Sequence, residues 1–148
     1  MIVLDTNVVS ELMRPRPATQ VLNWLDARMA GDLCLTAVIA AELMFGVARL
    51  PDGARKQQLA QAVCAMLEQD FTSRVLPFDL AAASVYAEMV AQREQAGHPI
   101  AMADAQIAAI CLVHGATLAT RNHKHFEGVG LQIVNPWAAG GLPEPEVG

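Results

Sequence analysis

The sequence predicts an α/β fold, a three-layer α/β/α sandwich around a central parallel sheet. Short apolar runs alternate with segments of helical periodicity, and the first and fourth runs each finish in a cluster of polar residues. Ile2, Val3 and Leu4 open the chain without alternation, as expected of a parallel strand covered on both faces and therefore central in its sheet. Asp5 stands at the carboxyl end of that strand. Ligands of open α/β sheets bind in the crevice beyond the strand carboxyl ends, so Asp5 is placed for chemistry. The same position also suits an N-cap of the next helix, made by Asp5 or Thr6.

That helix, Val8 to Met13, runs into Arg14-Pro15-Arg16-Pro17, where the prolines end it and hold Arg14 and Arg16 on an exposed turn. Thr19 to Met29 is amphipathic, with Val21, Leu22, Leu25 and Met29 at helical spacing and Trp24 beside them. After Gly31-Asp32 comes a second strand, Leu33 to Thr36, with Thr36 as N-cap of a helix from Ala37 to Leu50. Glu42 falls on the line Val38, Glu42, Phe45 of that apolar rod. No Lys or Arg lies within four residues, so no local ion pair explains it. A carboxylate on a buried face needs a cation or a hydrogen-bond donor, whereas one at an edge reaches water.

Pro51-Asp52-Gly53 turns the chain into a structural helix, Ala54 to Asp70. Val75 to Phe78 is a third strand, placed at an edge by Pro77, and Asp79 caps the helix Leu80 to Ala96. Gly97 closes that helix and Pro99 starts the next, Ile100 to His114. There Asp104 shares a face with Ile100, Ile107, Ala108 and Cys111, again without a neighbouring Lys or Arg. Gly115 ends the helix. Ala116 to Thr120 is a fourth strand that finishes in Arg121-Asn122-His123-Lys124-His125, a cationic cluster at a strand carboxyl end. Gly128 and Gly130 turn into a last strand, Leu131 to Val134, and the Gly- and Pro-rich residues 138–148 read as a disordered tail.

The 148 residues therefore make one domain, 1–137, followed by that tail. A composition 53% hydrophobic and 17% charged implies deeply buried helices, with apolar surface to spare for a subunit interface. With 10 Lys and Arg against 15 Asp and Glu, the net charge of −5 excludes nucleic-acid binding by charge alone, though not catalysis on nucleic acid. Cys34, Cys64 and Cys111 lack CxxC spacing and read as buried thiols of a reducing compartment. No leader precedes the first strand, and no apolar stretch reaches the roughly 20 residues of a membrane span, so a cytoplasmic protein without membrane contact is expected.

Asp5, Glu42 and Asp104 come from three elements that can converge at the strand carboxyl ends. Clustered carboxylates repel one another unless a hard cation lies between them. Mg²⁺ in such a site polarises a phosphate and activates water, which makes phosphodiester hydrolysis the natural reaction class.

The segments LDTN with Asp5, TAVIAAEL with Glu42, GHPIAMADAQIAA with Asp104 and LATRNHKHFEGVGLQIVNPW, in this order, closely resemble PIN-domain ribonucleases, and among them the VapC and FitB type of bacterial toxin. The resemblance implies a PIN-like fold, Mg²⁺ or Mn²⁺ held by Asp5, Glu42 and Asp104, and endonucleolytic cleavage of structured RNA. It also implies a homodimer and a small antitoxin with a DNA-binding domain, whose C-terminal part blocks the site. Thr120 and Asn122 match positions that complete the acidic pocket. Catalysis is assigned to Asp5, Glu42, Asp104 and Asn122, with Arg14, Arg16, Thr120, Arg121, Lys124 and His125 as substrate contacts. One departure stands out: where the family usually has an Asp before the Phe of the last motif, this chain has His125, which cannot supply a carboxylate for a second metal. Two rival readings follow: a PIN-like module impaired in turnover that binds RNA or DNA with its antitoxin, and a receiver-type phosphoacceptor built on Asp79 and Lys124. The second leaves Glu42 and Asp104 unexplained.

Overall fold

The computed structural model describes residues 1–138; the expected tail, apart from Ala138, lies outside the described residues. The strands β1 (Ile2–Leu4), β2 (Leu33–Thr36), β3 (Val75–Leu76), β4 (Thr117–Ala119) and β5 (Ile133–Val134) form one parallel sheet in the order β3-β2-β1-β4-β5. β1 is central, with Val3 opposite Cys34 on one side and Leu118 on the other. β3 is an edge, where the missing N–H of Pro77 leaves no ladder bond unmade. Between the strands run α1 (Thr6–Leu12), α2 (Thr19–Asp26), α3 (Ala37–Ala48), α4 (Ala54–Ala65), α5 (Leu80–Gln95) and α6 (Met102–His114).

The chain moves outward from β1 to β3, then jumps back across β1 to β4 and β5. Because crossovers between parallel strands are right-handed, the two halves place their helices on opposite faces. Consistent with this, α1 packs on α2 and α3, α3 packs on α4, and α5 packs along α6. The reversal of direction lies between β1 and β4, and a crevice opens there at their carboxyl ends.

Local chemistry accounts for several boundaries. Thr36 caps α3 by accepting the Ile39 N–H at 3.1 Å, and Asp79 caps α5 by accepting the Ala82 N–H at 3.0 Å. The latter fixes Asp79 as a helix cap. Gly115 ends α6 in the left-handed conformation, φ 62°, that a side chain would resist. The core gathers Val3, Leu4, Leu35, Ile39, Ile107, Leu118 and Phe126 around the sheet. No helix of the described residues is long and apolar enough to cross a membrane.

Four expectations need correction. α2 stops at Asp26 and buries Val21 and Trp24, while Met29, beyond the end of the helix, is 76% exposed in the following loop. The helix after Gly53 is α-helical only to Ala65, and Met66–Asp70 form a π-helical turn. Cys64 is exposed, since α4 is the outer layer over α3 and turns only Val63 fully inward; Cys34 and Cys111 are buried as expected. Finally, the face of α3 that enters the core is Ile39, Ala40 and Leu43, whereas Phe45 is 65% exposed. A helix apolar all round does not reveal which face is covered. Glu42 therefore looks out on the crevice and solvent rather than into the core.

Candidate active site

Asp5 is where the sheet hands over to α1. Its N–H closes the ladder to the Ala119 carbonyl at 2.9 Å, and its extended backbone makes it the N-cap of the helix. The N-cap reading of Asp5 is thus realised at the carboxyl end of β1. Oδ1 accepts the Thr6 N–H at 2.8 Å, and Oδ2 accepts the Thr120 hydroxyl at 2.7 Å and the Asn7 amide at 3.2 Å. The residue is 6% exposed. A buried carboxylate is tolerated only with such donors.

Thr120 is fully buried, and its hydroxyl uses its whole bonding capacity. It donates to Asp5 and accepts both the Asn7 amide and the Asn122 N–H at 3.1 Å. Asn7 links three groups: one amide nitrogen serves Asp5 and Thr120, and its Oδ1 accepts the Arg121 N–H at 3.1 Å. β1 and β4 are therefore joined beyond their ladder by side chains 113 and 115 residues apart. This network is what the sequence reading missed. Its only trace was the unbroken polar run Asp5-Thr6-Asn7 after an apolar strand.

Glu42 comes to the crevice from α3, where its Oε1 accepts the Thr6 hydroxyl at 2.9 Å. Burial of its carboxyl end pushes its pKa up; the Thr6 bond opposes that, while the charges of Asp5 and Asp104 add to it. Asp104 enters from the first turn of α6, partly buried, with its Oδ2 3.6 Å from His125 Nδ1. Burial raises its pKa too; His125 opposes the rise and Asp5 reinforces it. The charge of Asp5 thus bears on both helix-borne acids. Among the described residues, however, no group of three or more His, Cys, Asp or Glu side chains stands close enough together to hold a metal ion directly.

The cations divide. Arg14 pairs at 3.3 Å with Glu11, a 7% exposed carboxylate that also accepts the Ala18 N–H at 3.2 Å and so fixes the Arg-Pro turn. Glu11 was not foreseen as a partner. Arg14 still borders a groove of about 1000 Å³ whose wall includes Thr6, Ser10 and Glu42. Arg16 is exposed and makes no ion pair among the described residues. Asn122, Lys124 and His125 are exposed around the 3-10 turn His123–Phe126, while the Arg121 guanidinium lies 4.8 Å from the centre of the Trp137 ring.

This arrangement has known relatives. The model of the PIN domain family matches residues 2–130. The VapC ribonuclease Y4jK of Sinorhizobium fredii is 45% identical over 93% of this chain and 98% of its own length. The toxin FitB of Neisseria gonorrhoeae is 40% identical over 93% of this chain and 99% of its own. Among solved structures, a FitAB complex bound to a DNA fragment matches with a TM-score of 0.88 at 39% identity, over 94% of this chain and 97% of that one. The chain belongs to the PIN domain family, in the group that holds the VapC and FitB proteins.

Proposed function

We propose that this protein is a metal-dependent endoribonuclease, the toxin of a toxin–antitoxin pair, which cleaves RNA in the cytoplasm with Mg²⁺ or Mn²⁺ held by Asp5, Glu42 and Asp104. The observation that carries the reading is the charge at the crevice: three acids from β1, α3 and α6 meet there, and two of them are made costly to ionise by burial and by their neighbours. The three acids offer carboxylate oxygens, the donors a hard cation takes, with the His125 imidazole beside Asp104. Mg²⁺ binds through one or two carboxylates and keeps several waters, so acids too far apart to close directly on one point still suit it. Bound there, the ion would polarise a phosphate oxygen and lower the pKa of an attacking water, and water would displace a ribose oxygen from phosphorus.

The remaining roles belong to the chain's own side chains. Thr120 and Asn7 hold Asp5 in one orientation, and Thr6 holds Glu42. Asn122, tied through its N–H to Thr120, presents its amide at the rim. Arg14, Arg16 and Lys124 offer positive charge to phosphates, and His125 braces Asp104 through Nδ1 while leaving Nε2 for substrate. The FitAB relative is a two-component complex on DNA, which supports a small DNA-binding antitoxin as partner here. The exposed Met44, Phe45, Leu80 and Met102 supply apolar surface for that partner and for a homodimer.

Sequencing of RNA ends after induced expression tests the activity, and incubation of purified protein with the RNA so identified tests the metal. Cleavage is expected with Mg²⁺ or Mn²⁺, none in excess EDTA, and none from Asp104→Asn. Cleavage that persists in EDTA would exclude the metal. Binding without cleavage under every metal tried would favour the impaired module, with His125 in its contact with Asp104 as the cause.

A further inference from the structure

We propose that Arg121 and Trp137 form a platform for an unpaired nucleobase, so that the enzyme holds a flipped-out or single-stranded nucleotide beside the bond it cuts. The proposal rests on the ribonuclease reading above. It assigns to Arg121 stacking on a base in addition to neutralising a phosphate.

The placement argues for it first. Arg121 directly follows Thr120, whose hydroxyl is on Asp5, and its N–H is held by Asn7 Oδ1 at 3.1 Å. Trp137 arrives from the neighbouring strand: the Thr120 N–H donates to the Val134 carbonyl at 2.9 Å, and three residues further on the chain reaches the indole. A turn fixes it there, with the Trp137 N–H on Asn135 Oδ1 at 3.0 Å and the Ala138 N–H on the Asn135 carbonyl at 3.1 Å. The Arg121 backbone is therefore tied to the Asp5 network through Asn7, and Trp137 follows three residues after the Val134 carbonyl that accepts from Thr120.

The chemistry argues for it next. The guanidinium sits 4.8 Å from the indole centre, yet Arg121 is exposed and makes no carboxylate pair among the described residues. Its contact is an aromatic ring, and a guanidinium plane is a shape on which a second flat ligand can stack. The contrasting pair is informative: Arg28 also lies 4.8 Å from an indole, that of Trp24, but this ring is buried in the core, whereas Trp137 packs against the core only in part. Stacking of bases on arginine planes and aromatic rings is how proteins grip unpaired RNA, because every base has a π face. Bases inside a duplex do not offer that face.

The test measures binding apart from cleavage, using the full chain carrying Asp104→Asn in EDTA. The ligands are a short unpaired RNA and the same sugar-phosphate strand without bases. Trp24 is buried, so a change of tryptophan fluorescence on binding reports Trp137. The base-bearing strand is expected to quench it and to bind on the order of tenfold more tightly than the abasic strand. Arg121→Lys keeps the charge and removes the plane, so it should abolish that preference and leave abasic binding within about twofold. Trp137→Phe should keep the preference and lose the fluorescence change; should that variant fail to fold, the lysine variant decides. Equal binding of both strands by the parent protein would overturn the platform and leave the ribonuclease reading intact. So would an equal loss on both strands in Arg121→Lys. Failure of both strands to bind would overturn the platform and the ribonuclease reading with it.

Discussion

Two parts of one crevice treat their carboxylates in opposite ways. At the sheet, Asp5 has donors on both oxygens, supplied by Thr6, Thr120 and Asn7, and is sealed from water. On the helices, Glu42 has a single hydroxyl and Asp104 a single imidazole at 3.6 Å, and both are pushed toward the protonated form. The first arrangement has protein donors on both carboxylate oxygens. The second is left deficient in positive charge, and that deficiency is what a cation would relieve. The contrast teaches that the fold fixes one acid as a reference point and leaves two to respond to what binds.

The largest expected effect comes from breaking the rigid side. Thr120→Val removes the hydroxyl from Asp5, leaves the Asn7 amide with Asp5 alone and orphans the Asn122 N–H, all near a buried carboxylate. Unsatisfied buried groups of this kind cost about 1–3 kcal/mol each. At roughly 2–4 °C per kcal/mol for a domain of this size, the melting temperature in EDTA should fall by several degrees. An unchanged melt would mean that the network is incidental to stability.

On the responsive side the expectation is of the other sign and smaller. Asp104→Asn removes one of the mutually repelling charges, so in EDTA it should melt no lower than the parent protein. Mg²⁺ at ten times its Kd should raise the parent by roughly 3–6 °C, from a linkage stabilisation of about 1.4 kcal/mol, and should raise Asp104→Asn much less. Equal responses to Mg²⁺, with the variant strongly destabilised in EDTA, would make Asp104 a structural residue.

The smallest effect is a pH dependence. Glu42 and Asp104 have folded-state pKa values above their ordinary 4.5 and 3.8, so the folded protein retains protons that the unfolded chain has released. Stability in EDTA should therefore decline as pH rises from those ordinary values through the higher folded ones, and show no such loss below them. Glu42→Gln removes one contributor. Its melting temperature should gain on that of the parent protein across this window, and parallel curves for the two would place the carboxyl in ordinary solvent.

Much of the fold could be read from the sequence because local chemistry marks it. The unalternated Ile2-Val3-Leu4 named the central strand, Thr36 and Asp79 named two helix starts, and Pro77 named an edge. The acids of the candidate site were visible as charges without local partners. What could not be read depends on contacts between distant residues. The clamp on Asp5 joins residues 5, 7 and 120, and no periodicity encodes it. Nor could the apolar surround of Glu42 say that Phe45 would be left open, because coverage is decided by the neighbouring helices. Glu11 was overlooked for a similar reason: its partner N–H, on Ala18, lies beyond two prolines.

The pairing of β1 with β4 has a consequence for synthesis. Ile2 lies opposite Thr117, so the middle of the sheet is an early segment waiting for a very late one. Contacts so distant in sequence form late, after the entropy of closing the intervening chain has been overcome. Every arrangement that orients Asp5 through Thr120 is therefore absent from a nascent chain that has not reached that residue. A ribosome carrying an incomplete copy carries no assembled crevice, because the strand order makes the setting of Asp5 wait on β4. Fragments ending before residue 117 should accordingly show no cooperative melt, and a cooperative one would refute this dependence on β4.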